Sequence, residues 1–333
     1  MKARLLRSWF LTLLAAAMLI GMGMGPVLGP LADATPRDAV IAAIMLLTAL
    51  PIDFARSVAS RAAWIAVGLA AALNSIAGPL LGWAASYATP PELAVGVIVA
   101  STSPCTLASG AVWTRRGGGN DAVAILATLV TNLGCFVTIP LWLGLMLGPS
   151  LGVEPPPLGA KLLICVVAPI AAAQALRLAP GVAAWATRHK PSLSLAAQLG
   201  VLLIAFLGSI EAGRRLQSLP EGLGPAVWLA VPAAMATLHV TLLAAGWLLS
   251  RAIGLPRGEQ TAVAIAGSQK TLAVGAAVAL EFGGLAIFPM IAYHVLQLLI
   301  DTVFVDRLRA AETRPSTTPA SSPAVSPRRQ CGG

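Results

Sequence analysis

The feature that most constrains this chain is the length of its apolar blocks. Runs of about 20 mostly apolar residues recur along the 333-residue sequence, separated by short polar breaks. A helix needs about that many residues to cross a bilayer's hydrocarbon core, so the pattern predicts an all-α membrane protein. The chain is 57% hydrophobic and 11% charged, too few charges to cover a soluble domain of this length. A net charge of +9 would suggest nucleic acid in a soluble protein. Here the basic residues lie in loops and tails without interleaved aromatics, so the expected partner is the lipid bilayer and not nucleic acid.

Ten transmembrane helices are expected, at about 9–28, 39–55, 62–84, 92–114, 121–147, 158–177, 193–211, 225–249, 260–281 and 286–305. The first follows Lys2, Arg4 and Arg7 and is read as a span rather than a cleaved signal. With the N-terminus inside, 17 of the 22 Lys and Arg residues fall on the inner side and four on the outer, with Lys270 inside a span. That bias predicts an inner (plasma) membrane protein with both termini cytoplasmic. Residues 307–333, rich in Ser, Thr, Pro and Arg, read as a disordered cytoplasmic tail. Cys105, Cys135, Cys165 and Cys331 have neither metal-ligand spacing nor a disulfide pattern.

Two spans carry polar interruptions at membrane depth: Ser101 to Thr106 in the fourth, Gly267 to Thr271 in the ninth. Backbone groups cannot be left bare in hydrocarbon, so such breaks require protein or water around them. They occupy the fourth position of each set of five. Five is odd, so the second set starts from the opposite side. Two inverted five-helix repeats follow, 1–150 and 151–306, with broken, crossing helices 4 and 9, the frame of an alternating-access transporter.

Lys270 is the residue most in need of explanation, because a charge at mid-bilayer costs at least ~2.5–3.5 kcal/mol on insertion scales. It reads as a fixed cation that holds an anionic substrate or replaces a coupling ion; the plain alternative is a lysine snorkelling to an interface. Thr106, Ser109, Ser268, Gln269 and Thr271 extend the two breaks, where half-helix ends bind anions or cations; singly, such hydroxyls more often bond back to carbonyls. His294, Gln297 and Asp301 form one stripe, for proton relay, substrate binding or interhelical bonding, with Asp301 expected near the inner interface. Asn74, Thr128, Thr131 and Asn132 are expected to meet the breaks at mid-depth, and His239 is read as a lone structural histidine.

The motifs now resemble a known family. Pro104-x-Thr106-x-x-Ser109, Thr114 and Gly118-Gly119-Asn120, followed by Thr131-Asn132-Leu133-Gly134 and Pro140, the Gly267-Ser268-Gln269-Lys270 run, His294-x-x-Gln297, and Pro169, Gln174 and Arg177 are similar to the bile acid:sodium symporter family, in the branch of sodium/bile acid cotransporter 7 and its bacterial relatives. The resemblance spans nearly the whole chain except the tail. It implies ten helices in a panel and a core domain, with a substrate crevice between them. It also implies transport of an organic anion and a sodium site at Ser109, Thr128 and Gln269, with Asn74 near the place of a further ligand. Two positions depart from the sodium-coupled pattern: Gly110 replaces an asparagine, and Ile265 replaces a glutamate, while Lys270 adds an ammonium. A carboxylate lost and an ammonium gained imply that at least one sodium position is empty, since like charges in low dielectric repel. Coupling by proton, by one remaining sodium or by neither stays open, and no cofactor beyond sodium is expected.

Other readings compete. Cys105 in a broken helix resembles the arsenite-type metalloid exporters of the same superfamily, although a small buried Cys also simply packs. A membrane regulator of ion homeostasis needs no transport. An enzyme is not expected, since no zinc, serine-triad or paired-aspartate signature is present.

Overall fold

The structure, a computed structural model, describes residues 9–54, 60–107, 109–148, 155–218, 224 and 226–312. They form only helices and connections: α1 (Trp9–Gly23), α2 (Gly25–Ala34), α3 (Arg37–Ala49), α4 (Arg61–Ala72), α5 (Gly78–Ser86), α6 (Pro91–Thr102), α7 (Gly110–Arg116), α8 (Asp121–Leu147), α9 (Pro155–Leu162), α10 (Ala168–Arg177), α11 (Pro180–Arg188), α12 (Lys190–Gln217), α13 (Val227–Ala252), α14 (Arg257–Ser268), α15 (Leu272–Ala279) and α16 (Ile287–Glu312). π-helical turns at Leu73–Ala77 and Leu163–Val167 join α4 to α5 and α9 to α10.

Among the described residues, seven helices are long and apolar enough to cross a membrane, and the α1–α2 pair passes the same test as a bent unit. The protein is therefore an integral membrane protein. Three expected spans differ in detail. The first does not run straight to residue 28: it turns through 108° between Gly23 and Gly25, where Gly23-Met24-Gly25-Pro26 combines two weak helix formers with a proline suited to a new helix start. The second is the 13-residue α3, and the fourth is divided into α6 and α7. At the other end α16 stays helical to Glu312, past the expected boundary at 306; the rest of the expected tail lies outside the described residues.

Two layers emerge from the packing. Helices α1, α2 and α3 gather on α12, with α10 packed against α3, while α4, α5, α8, α13 and α16 surround the broken pairs α6/α7 and α14/α15. Specific caps fix the ends. Gln174 Nε2 donates to the carbonyls of Ala49 (3.0 Å) and Ile52 (3.2 Å), and Arg177 donates to that of Leu50 (2.9 Å), so the two close the open end of α3. The Asn120 side chain caps α8 by accepting from the Ala122 and Val123 amides. The Asn120 backbone N–H donates to Gly258 O (2.9 Å), tying that corner to the start of α14. The span from Arg257 to Phe282 is the most enclosed of the seven, with 94% of its apolar window buried.

Charges segregate to the two ends. Arg37 pairs with Glu211 (2.8 Å), Arg214 with Asp33 (3.0 Å), and Lys161 with both Asp38 (2.8 Å) and Glu281 (2.7 Å). At the opposite end Arg115 pairs with Asp121, and Arg116 with Asp306 at 2.6 Å.

Candidate functional site

Both interrupted helices unwind in the same way. Ser103 leaves α6 with φ −62° and ψ 144°, and Gln269 leaves α14 with φ −71° and ψ 144°. Each extended stretch exposes backbone groups that must find partners at depth. One bond links the two directly: the Thr271 amide donates to Pro104 O at 2.8 Å. The others come from neighbouring helices. Cys105 N donates to Thr131 Oγ1 (3.3 Å), and Cys105 O accepts from Asn132 Nδ2 (2.7 Å). In the second break Gln297 accepts from Lys270 N (2.8 Å) and donates to Lys270 O (2.9 Å). Asn74 Nδ2 donates to Gln269 O (2.8 Å), and Tyr293 OH to Ser268 O (2.6 Å). Asn74, Asn132 and Gln297 thus hold the unwound backbone together. The Oδ1 atoms of Asn74 and Asn132 remain buried without a partner among the described residues.

Lys270 is fully buried and does not snorkel. Its Nζ donates to Asn74 O at 2.6 Å. The local sequence explains why that carbonyl is available. Gly78 N–H is committed to Leu73 O across the π-turn, and the next amide position belongs to Pro79, which has no N–H to offer. Ser75 O in the same turn is taken by Trp142 Nε1 at 2.8 Å. Space for the ammonium comes from Gly78, where a Cβ would lie 2.9 Å from Nζ and 3.2 Å from Ser101 O.

A second chain of side chains crosses the break. Ser109 Oγ donates to Gln269 Oε1 (3.1 Å), and Gln269 Nε2 donates to Asp301 Oδ2 (2.6 Å). Asp301 Oδ1 lies 3.0 Å from His239 Nε2, and His239 Nδ1 lies 3.3 Å from Ser268 O. Two expectations are corrected here. Asp301 is fully buried against Gln269 rather than near an interface, and His239 is its partner rather than a lone residue. Sequence spacing gave no sign of this, because the 239–301 contact joins α13 to α16.

The residues named for sodium do converge. Around Gly110, a Cβ would meet Thr128 Oγ1 at 3.4 Å, Cys105 Sγ at 3.4 Å and Gln269 Oε1 at 3.6 Å, with Ser109 Oγ alongside Gln269. Hydroxyl and amide oxygens are donors suited to a hard cation. Thr128 Oγ1 also donates to Cys105 Sγ (3.2 Å), and Cys105 is fully buried. Ser268 Oγ turns back to Ala264 O (2.8 Å) and takes the ordinary helix-bonding role.

Two cavities share the lining residues Thr48, Leu107, Gln198 and Val201 and form one crevice between the layers. The inner one, about 250 Å³, reaches Thr106, Ser109, Thr271 and His294 beside Phe10 and Trp9. The outer one, about 380 Å³, is lined by Asp53, Arg115, Arg177 and Lys190 among apolar walls. Arg115 and Lys190 are exposed there. The crevice lies at the end opposite the Lys161–Glu281 and Arg37–Glu211 pairs.

Sequence comparison gives a consistent picture. The profile of the SBF-like CPA transporter family matches residues 8–310. The probable sodium/metabolite cotransporter BASS4, chloroplastic, of Arabidopsis thaliana is 30% identical over 233 residues, covering 65% of this chain and 52% of that protein. Its counterpart in Oryza sativa subsp. indica is 30% identical over 237 residues, covering 65% and 55%. An uncharacterized protein of Pseudomonas aeruginosa is 29% identical over 245 residues, covering 69% and 71%. The chain thus spans about half the length of the plant relatives it matches.

Proposed function

Because this chain belongs to the SBF-like CPA transporter family, of the bile acid:sodium symporter superfamily, a family of transporters and not of enzymes, we propose that it is a secondary transporter moving a small organic anion by alternating access. The carrying observation is the Thr271 N to Pro104 O bond that joins two unwound segments at the floor of a one-sided crevice. A floor of crossed half-helices is what an ion- and substrate-binding centre requires. Arg115, Arg177 and Lys190 give the crevice mouth a positive field that draws anions, and its apolar walls suit an organic body.

In this reading ten spans form two inverted repeats. Supporting it, each break ends its first half-helix at ψ 144°. Each also has one residue, Cys105 or Lys270, whose N–H and C=O are both held by side chains of the next span. The side bearing Arg115 and Lys190 is the cytoplasm of a plasma membrane, both termini lie on it, and the conformation is inward-open. Thr106, Thr271 and His294 face the substrate. Sodium is the coupling ion at Ser109, Thr128 and Gln269, the reading favoured by the likeness to the BASS4 proteins, probable sodium/metabolite cotransporters. The Lys270 amine, held on Asn74 O, takes the place of a second ion.

Uptake of candidate organic anions into proteoliposomes, with and without a sodium gradient, tests the proposal. Sodium-dependent accumulation is expected in the wild type. Lys270→Ala should lower it at least about tenfold, the scale of losing one buried charged hydrogen-bonding group of ~1.5–3 kcal/mol. Uptake unaltered by that substitution would remove Lys270 from the mechanism.

A further inference from the structure

Asp301 is the one fully buried carboxylate among the described residues, and its surroundings define what it does. One oxygen meets His239 Nε2 at 3.0 Å; the other meets the Gln269 amide at 2.6 Å. An amide side chain has two faces of opposite chemistry, a carbonyl oxygen and an NH₂ group, and they exchange places by a flip. An ionised carboxylate only accepts. With Asp301 on one side of Gln269, the NH₂ must turn toward it, and Oε1 must turn toward Ser109 Oγ (3.1 Å) and the Gly110 space shared with Thr128. The opposite orientation would set Oε1 against Asp301 and present N–H groups where a cation needs an oxygen.

His239 fixes the carboxylate in turn. Its Nε2 lies against Asp301 Oδ1 and its Nδ1 beside Ser268 O, which seats the ring between α13, the end of α14 and α16. Tyr293, whose ring is 5.6 Å from that of His239 in an edge-on arrangement, donates to the same Ser268 carbonyl. All four of His239, Ser268, Gln269 and Asp301 are fully buried, so water offers no alternative partner.

We propose that Asp301, braced by His239, is a positioning residue for the cation site: it locks the Gln269 amide with its oxygen toward Ser109 and Thr128. Its carboxylate comes from α16 and stands one side chain removed from the ion rather than in contact with it. This rests on the sodium reading above.

The test uses the purified full chain in detergent and sodium as the probe, with choline as the control cation, reading the midpoint of sodium-dependent thermal stabilisation. Wild type is expected to be stabilised by sodium over choline. Asp301→Asn, whose own amide accepts either orientation of Gln269, should raise the sodium midpoint about tenfold or more, the usual effect of losing an outer partner of a metal ligand. Gln269→Ala should raise it as well, and the double variant should be no worse than Gln269→Ala alone, because Asp301 acts through that amide. Should Asp301→Asn not fold, His239→Ala is read instead, and a raised midpoint abolished in the Gln269→Ala background is again expected. A wild-type response with an unchanged midpoint in the Asp301 or His239 variant overturns the positioning role and leaves the sodium reading standing; so do losses that simply add to that of Gln269→Ala. No sodium response in the wild type overturns both.

Discussion

Single side chains here mostly serve the backbone. Asn132 illustrates the point: it looks like a ligand in sequence, yet its Nδ2 is divided between Cys105 O (2.7 Å) and Thr128 O (2.8 Å). Asn132→Leu keeps the approximate volume and strips both bonds, leaving a buried carbonyl unpaired. A loss of about 1–3 kcal/mol is expected, read as a lowered unfolding temperature in detergent. Lys270 and Gln297 are legible in sequence as polar residues at depth, because their charge or amide is costly there. Their pairing, and the bond of His239 to Asp301, are not legible, since nothing in local spacing says which faces of distant helices will meet. Nor does sequence single out Tyr293 and Trp142, aromatic residues whose polar tips secure Ser268 O and Ser75 O; an aromatic in an apolar run reads as packing until its partner is seen.

At the scale of elements, irregularity is where the chemistry sits. Polar clusters with Pro or Gly mark the two unwound segments, so both are visible in sequence. The π-turn at Leu73–Ala77 is not, although Pro79 announces a missing donor. That turn and Lys270 depend on each other, since the carbonyl freed by one is occupied by the other. Pro79→Ala restores a backbone donor. It should therefore stabilise a Lys270→Met variant more than it stabilises the wild type, by about 1 kcal/mol, the net worth of one hydrogen bond. A double-mutant cycle on unfolding free energies measures that difference. The bend between α1 and α2 escapes a sequence reading for another reason: apolar side chains fill residues 9–28, and a hydropathy window cannot register a change of direction.

For the molecule as a whole, the two ends differ in kind. One is open to a basic crevice; the other is held by partly exposed ion pairs, each worth only about 0–1 kcal/mol. Gly284 adds close packing there, since a Cβ on it would lie 2.1 Å from the Glu211 carbonyl carbon. Under the alternating access proposed above, weak fastenings suit a closure that must release. Glu281→Lys sets two cations face to face across the Lys161 contact. It is expected to increase labelling of an Ala273→Cys reporter in the crevice by an impermeant maleimide applied from the Lys161 side; equal labelling in both backgrounds would show that this contact does not hold the end shut. The overall layout, apolar blocks with basic residues biased to one side, is the most legible level of all, because solvent partitioning acts on composition before any contact forms.

The enclosure of the Arg257–Phe282 span has a consequence for how the protein is made. A segment buried among its neighbours has little need to be greasy, and this one carries Gln269 and Lys270 at its middle. Emerging alone from the ribosome, it is a poor candidate for release into lipid. Its retention in the bilayer depends on Asn74 from a helix already synthesised and on Gln297 from one still to come, so biogenesis of this region is a cooperative act between early and late parts of the chain.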